Sequence, residues 1–277
     1  MDWNILYYIL YGFLAGVGEL LPVSSAAHGY LIELMTQFDA SEPALLLAVH
    51  FACFFAVCIH GRRRIGHIYR ELKIASLPGK KRKRQPDISA VLDAKVIFTA
   101  MIPMLIGVGL STLAFRKLAF LPAISVLLLI SGVVLYIPQF LPGANKDSRS
   151  LSRKDALILG LSGALGVVPG ISRIGTMISV GLIRECDRSY ILDIVLLASL
   201  PVLLGLMIVD GVMIAVAGTV VTTMTLIYYI LAAATAFGGA WLAMVIMRFL
   251  SVKSNFYGFA YYNWGLALFS FLVYLMI

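Results

Sequence analysis

Gly18-Glu19-Leu20-Leu21-Pro22-Val23-Ser24-Ser25-Ala26-Ala27-His28 sets a carboxylate, two hydroxyls and an imidazole inside an otherwise apolar run. Ionisable groups at bilayer depth are costly unless they face protein or water, so this stretch reads first as a functional site. The apolar segment ahead of it, residues 4–17, would form a helix of about 21 Å, short of the ~30 Å hydrocarbon core. Pro22 suits the first turn of a new helix, where its missing N–H costs nothing. Two half-helices joined by a loop at membrane depth are therefore expected. Such a loop survives only when buried in protein or lining a wet cavity. The second half-helix, residues 22–35, would turn free N–H groups and partial positive charge into that cavity, which favours an anion. Ser25 and His28, three residues apart, share a helix face.

Composition agrees with a membrane setting. The 277 residues are 61% hydrophobic and only 13% charged, and the mean hydropathy is +0.94. These values lie outside the range of soluble globular domains and give an all-α polytopic membrane protein, one membrane domain over residues 1–277. The start carries Asp2 and no basic segment, unlike a cleaved signal peptide. Cys53, Cys58 and Cys186 are scattered and suggest neither a zinc site nor a disulfide framework.

After the first hairpin, residues 42–60 form a plausible span, followed by a strongly basic loop, 61–87, and spans at 89–114 and 118–140. A polar linker, 142–154, precedes a second short interrupted pair, 156–168 and 171–183. Spans at 190–209, 217–247 and 256–277 complete the set. If each short pair enters and leaves on one side, six full spans alternate. The segments 61–87, 142–154, 184–188 and 248–253 then share one face, which holds 18 of the 22 Lys and Arg. The positive-inside rule makes that face cytoplasmic and puts both termini outside. Two inverted-topology repeats are expected, about 1–141 and about 154–277, each a re-entrant helical hairpin plus three transmembrane helices. An offset of 147 matches Leu14 with Leu161, Gly16 with Gly163, Pro22 with Pro169 and Ser25 with Ser172. Paired interrupted segments in corresponding halves point to a site near the membrane midplane.

The second break reads Pro169-Gly170-Ile171-Ser172-Arg173-Ile174-Gly175-Thr176-Met177. Arg173 is the only basic residue between Lys154 and Arg184, and a guanidinium at the deepest turn wants an anion. Ser172 can cap the half-helix that follows or donate to the same ligand. With these two motifs the chain resembles the bacterial undecaprenyl pyrophosphate phosphatase family, the BacA-type membrane enzymes of lipid-carrier recycling. The matches are Glu19, the run from Leu21 to Ser25, and His28, then Pro169, Gly170, Ser172 and Arg173. Three positions depart from the family pattern. An acid four residues before Glu19 is Ala15, a second-motif Ser is Ile174, and the closing Thr is Met177, with Thr176 one place off.

The resemblance implies hydrolysis of a polyprenyl pyrophosphate in the bacterial inner membrane. It implies Ser25 as nucleophile, His28 as base or acid, and Glu19 as orienting carboxylate or ligand of a divalent cation (Mg or Ca). Arg173 and Ser172 would clamp phosphate, with Ser24 and Thr176 as further hydroxyls beside it. The expected partners are the polyprenyl (pyro)phosphate, membrane lipids and a second copy of the chain in a homodimer, with no nucleic acid. A transporter that binds and flips a lipid phosphate is the rival reading, since inverted repeats around a midplane anion site suit transport equally. A non-catalytic resistance factor is a third. Structural roles stand beside the chemical ones. Membrane serines bond backbone carbonyls, Glu19 and Arg173 can form a plain ion pair, and His50 and His60 read as packed or interfacial rather than catalytic.

Overall fold

The structure is a computed structural model that describes residues 3–111, 118–142, 145–219, 221–253 and 256–276. Among these residues the chain forms ten α-helices and no strand. In order they are α1 (Trp3–Leu20), α2 (Ser25–Thr36), α3 (Pro43–Ser76), α4 (Ile88–Ser111), α5 (Leu121–Tyr136), α6 (Arg153–Ala164), α7 (Arg173–Ile183), α8 (Arg188–Ala217), α9 (Thr223–Lys253) and α10 (Gly258–Met276). Six of them, α3, α4, α5 with its 3-10 extension to Phe140, α8, α9 and α10, are long and apolar enough to cross a membrane. The protein is a polytopic integral membrane protein. The expected span ends at 114 and 277 lie outside the described residues.

Both interrupted pairs are hairpins, because contacts run in reverse order along their two arms. In the first, Gly18 lies against Ser25, and Tyr11 against Gly29. Tyr7, Tyr8 and Tyr11 surround Phe38 with ring centroids 6.0, 5.0 and 5.5 Å away. In the second, Gly166 lies against Arg173 and Gly163 against Met177, the Thr176 hydroxyl donates to the Ser162 carbonyl at 2.9 Å, and Arg184 pairs with Asp155 at 2.5 Å. Each hairpin returns to the side from which it entered.

The helices pack in pairs that exchange when the halves are swapped. α1 packs on α9 as α6 packs on α4, α3 meets α9 as α8 meets α4, and α3·α8 and α5·α10 map onto themselves. A side chain at Gly12 would strike the Ala232 backbone, and one at Gly160 the Ala100 backbone, so the two corresponding crossings depend on the same close approach.

Two expectations need correction. The stretch 61–87 is not a loop throughout, since α3 continues to Ser76. Its arginines are good helix formers, and two charges of the stretch find buried carboxylate partners. Arg64 bridges Asp93 at 2.9 Å and also Asp193, while Glu71, at 2% exposure, receives both guanidinium nitrogens of Arg84 from the segment folded back beyond α3. The second correction is α1, which runs to Leu20, three residues beyond its expected end. The break nonetheless follows directly, at residues 21–24.

The basic segments do gather at one end of the bundle. Arg248 and Arg64 share Asp193, Lys146 pairs with Glu185 at 2.7 Å, and Arg149 donates to Ser89 at 2.8 Å.

Candidate functional site

The two hairpin tips meet. Ser24 caps α2 by accepting from the Ala27 amide at 3.3 Å, and the same oxygen accepts from the Gly170 amide of the other tip at 3.0 Å. Gly170 holds φ +99°, a conformation that disfavours any side chain, and this aims its N–H across the joint. Ser172 caps α7 in the same manner, accepting from the Gly175 amide at 3.1 Å. Each tip is also held from outside. Asn263 of α10 donates to the Pro22 carbonyl at 3.0 Å, and Ser131 of α5 accepts from the Ser172 amide at 3.2 Å.

Beside this joint lies a cavity of about 320 Å³, lined among others by Glu19, Ser25, His50 and Arg173. Glu19 Oε2 pairs with Arg173 at 3.1 Å, with both side chains about nine-tenths buried. The Ser25 hydroxyl donates to Glu19 Oε1. Among the described residues Arg173 Nε is buried with no partner. A buried charged donor left unmade costs more than a neutral one, so this nitrogen asks for an acceptor that the protein does not supply.

The residues expected at the site divide into two groups. Glu19, Ser24, Ser25 and Arg173 line the cavity; Ser172, Thr176 and His28 do not. Ser172 is consumed as a cap, and Thr176, 5% exposed, donates among carbonyls of its own hairpin, including that of Ser172 at 2.9 Å. His28 differs from the expectation of a base facing Ser25. Its Nδ1 lies 2.7 Å from the Ser24 carbonyl, its Nε2 2.6 Å from the Tyr262 hydroxyl, and the two rings stack. Sharing a helix face with Ser25 did not bring it to Ser25, because the backbone carbonyl one turn back captures the imidazole. The offset-147 register is also one residue out. The caps Ser24 and Ser172, the tip glycines Gly18 and Gly166 and the crossings Gly12 and Gly160 all correspond at an offset of 148.

His50, which reads from the sequence as packed or interfacial, lines the cavity. Its Nδ1 lies 2.6 Å from Asp210 Oδ2, and both side chains are 9% exposed. A signal existed, since Asp210 is the only acid after Asp193 and lies in an apolar span, where a carboxylate needs a partner.

Two broken helical hairpins, joined tip to tip over a cavity with a buried guanidinium, define a membrane protein built to hold an anion between its helices. The chain belongs to the family described as bacitracin resistance protein BacA, which it matches over residues 8–269. Similar proteins include an undecaprenyl-diphosphatase of Desulforapulum autotrophicum, 29% identical over 269 residues and 95% of each chain. Another, of Thermosipho melanesiensis, is 28% identical over 96% of this chain and 98% of the relative. A third, of Streptococcus sanguinis, is 30% identical over 73% and 71%.

Proposed function

We propose that the chain hydrolyses undecaprenyl pyrophosphate to the monophosphate in the bacterial inner membrane. The observation that carries this reading is the partnerless Nε of Arg173 beside the Ser25–Glu19 hydrogen bond, in a family whose named relatives are diphosphatases. Phosphoryl transfer depends chiefly on positioning and on neutralising the equatorial oxygens. Arg173 and the N-termini of α2 and α7 supply that charge. Ser25 Oγ attacks the terminal phosphorus, its proton passes to Glu19 along the existing hydrogen bond, and the bond to the bridging oxygen breaks, releasing the lipid monophosphate. Ser24 ties the two tips together, while Ser172, Thr176 and His28 support their own hairpins and the contacts to α5 and α10.

A protein-held divalent cation does not fit this donor set. The Glu19 oxygens are engaged by Arg173 and Ser25, position 15 is Ala, and Mg and Ca require several oxygens. No step is routed through one. The halves, about 1–141 and 154–277, act as inverted repeats, since three spanning helices separate two hairpins that each return to their own side. The basic end is cytoplasmic, which leaves both termini outside. The transport alternative rests on architecture alone, and the observations do not favour it.

Purified protein should release phosphate from undecaprenyl pyrophosphate without added Mg or Ca. No release with or without either cation would overturn the reading.

A further inference from the structure

A phosphoryl group taken by Ser25 must be passed to water, and water needs a base. His28 cannot serve while both of its nitrogens are engaged by the Ser24 carbonyl and the Tyr262 hydroxyl. We propose that His50, oriented by Asp210, is the base that activates this water; the inference rests on the hydrolytic reading above. Asp210, from α8, holds Nδ1 of His50, from α3, at 2.6 Å. His50 lines the cavity and Asp210 does not; with Nδ1 held by Asp210, Nε2 is the nitrogen left to act. Among the described residues Nε2 makes no hydrogen bond. A carboxylate on one imidazole nitrogen fixes the tautomer and leaves the other as proton acceptor, and it stabilises the imidazolium once formed.

Glu19, Ser25 and Arg173 line the same cavity as His50, so His50 and the reacting groups face one space. Among the described residues His50 is also the only imidazole that lines the cavity. Where Ala15 leaves the first helix without its acid, this dyad brings an acid–base group in from α3 and α8. The step balances. The water oxygen forms a bond to phosphorus and gives its proton to His50 Nε2. The bond from phosphorus to Ser25 Oγ breaks, and Oγ recovers the proton held by Glu19. His50 then releases its proton to the departing phosphate. In these steps His50 acts on the attacking water, and Asp210 is a positioning residue.

The decisive variant is His50→Asn. Its amide nitrogen can replace Nδ1 as donor to Asp210, so the buried pair survives while the second ring nitrogen is lost. We expect kcat to fall about a hundredfold or more, the usual worth of a general base, with KM and melting temperature close to wild type. Radiolabel from the terminal phosphate should then accumulate on the protein. Asp210→Asn should lower kcat in the same direction and by less. A wild-type enzyme that releases phosphate, beside a His50→Asn enzyme that releases it at the wild-type rate, overturns this assignment alone. Wild-type protein that releases none overturns the hydrolytic reading with it. A His28→Asn enzyme that loses more turnover than His50→Asn returns the proton-transfer role to His28 and also overturns the assignment.

Discussion

The first hairpin follows its capping serine with a hydroxyl, Ser25, and the second follows its own with a guanidinium, Arg173. Backbone geometry is otherwise nearly the same at the two caps. Ser24 has φ −90° and ψ 107°, Ser172 φ −85° and ψ 117°, and each accepts from the amide three residues on. One turn later the likeness continues. His28 Nδ1 and Thr176 Oγ1 each bond the capping residue's carbonyl, at 2.7 and 2.9 Å. The two caps thus share their supports and differ at the residue that follows, Ser25 in one half and Arg173 in the other, both of which line the cavity. One half contributes a hydroxyl and a carboxylate, the other a guanidinium, and the ion pair between Glu19 and Arg173 joins them across the joint.

That division gives the largest predicted effect. Ser25→Ala should reduce phosphate release by about a thousandfold or more while lipid binding persists, because only a group that takes part in bond breaking is removed. Wild-type turnover in Ser25→Ala, measured as phosphate released by purified protein, would make the two tips equivalent supports and end the comparison. For the second tip, Arg173→Lys should weaken binding of the lipid pyrophosphate about tenfold to a hundredfold, the worth of one or two charged hydrogen bonds. A lysine keeps the charge and loses the planar fork and Nε. Equilibrium binding that is unchanged in both Arg173→Lys and Arg173→Ala would show that the guanidinium serves the ion pair alone.

Much of this arrangement was legible in the residues. Pro22 and Pro169 marked the breaks, Glu19 and Arg173 their charges, and the Lys and Arg distribution marked one end of the bundle. What was hidden depends on contacts between elements. Hydroxyls that could serve a ligand or a cap look alike in sequence, and Ser172 and Thr176 turned out to satisfy backbone groups, as buried hydroxyls in membrane helices commonly do. His50 looked like a packed residue because its partner is 160 positions away. The repeat register slipped by one because Pro22 and Pro169 align at 147 whereas the caps that build the fold align at 148. The arginines beyond residue 61 read as a loop because their acidic partners, Asp93 and Asp193, lie on other helices.

The departures from the family pattern offer a smaller and sharper test of the asymmetry. Ala15 and Ile174 both line the cavity, so Ala15→Glu with Ile174→Ser should place a second carboxylate one turn from Glu19 and a hydroxyl beside Arg173. We expect phosphate release to rise about tenfold and to become dependent on Mg or Ca, since two carboxylates on one face suit a hard cation where Glu19 alone does not. Adding Met177→Thr should contribute less. Met177 is 1% exposed and lies against Gly163, so its truncation leaves a void that costs about 2 kcal/mol or more of stability. A rise in activity with no new cation requirement, followed with a chelator titration, would separate the hydroxyl's effect from the carboxylate's.

The smallest effects concern the caps, and they test the likeness rather than the difference. Ser172→Ala should cost about 1 kcal/mol, the ordinary value of a lost N-cap, with the Gly175 amide left unpaired. If the halves were strictly equivalent, Ser24→Ala would cost the same. It should cost more, by about 1–3 kcal/mol, because Ser24 Oγ also accepts from the Gly170 amide, a donor buried in the joint. Thermal melts of the two variants in the same detergent should therefore rank Ser172→Ala above Ser24→Ala in stability. Ser24→Thr keeps the oxygen and should recover most of the loss. Equal melting temperatures for the two alanine variants would mean that the Gly170–Ser24 hydrogen bond contributes nothing to holding the tips together. The alignment of Ser25 and Glu19 with Arg173 would then rest on the ion pair alone.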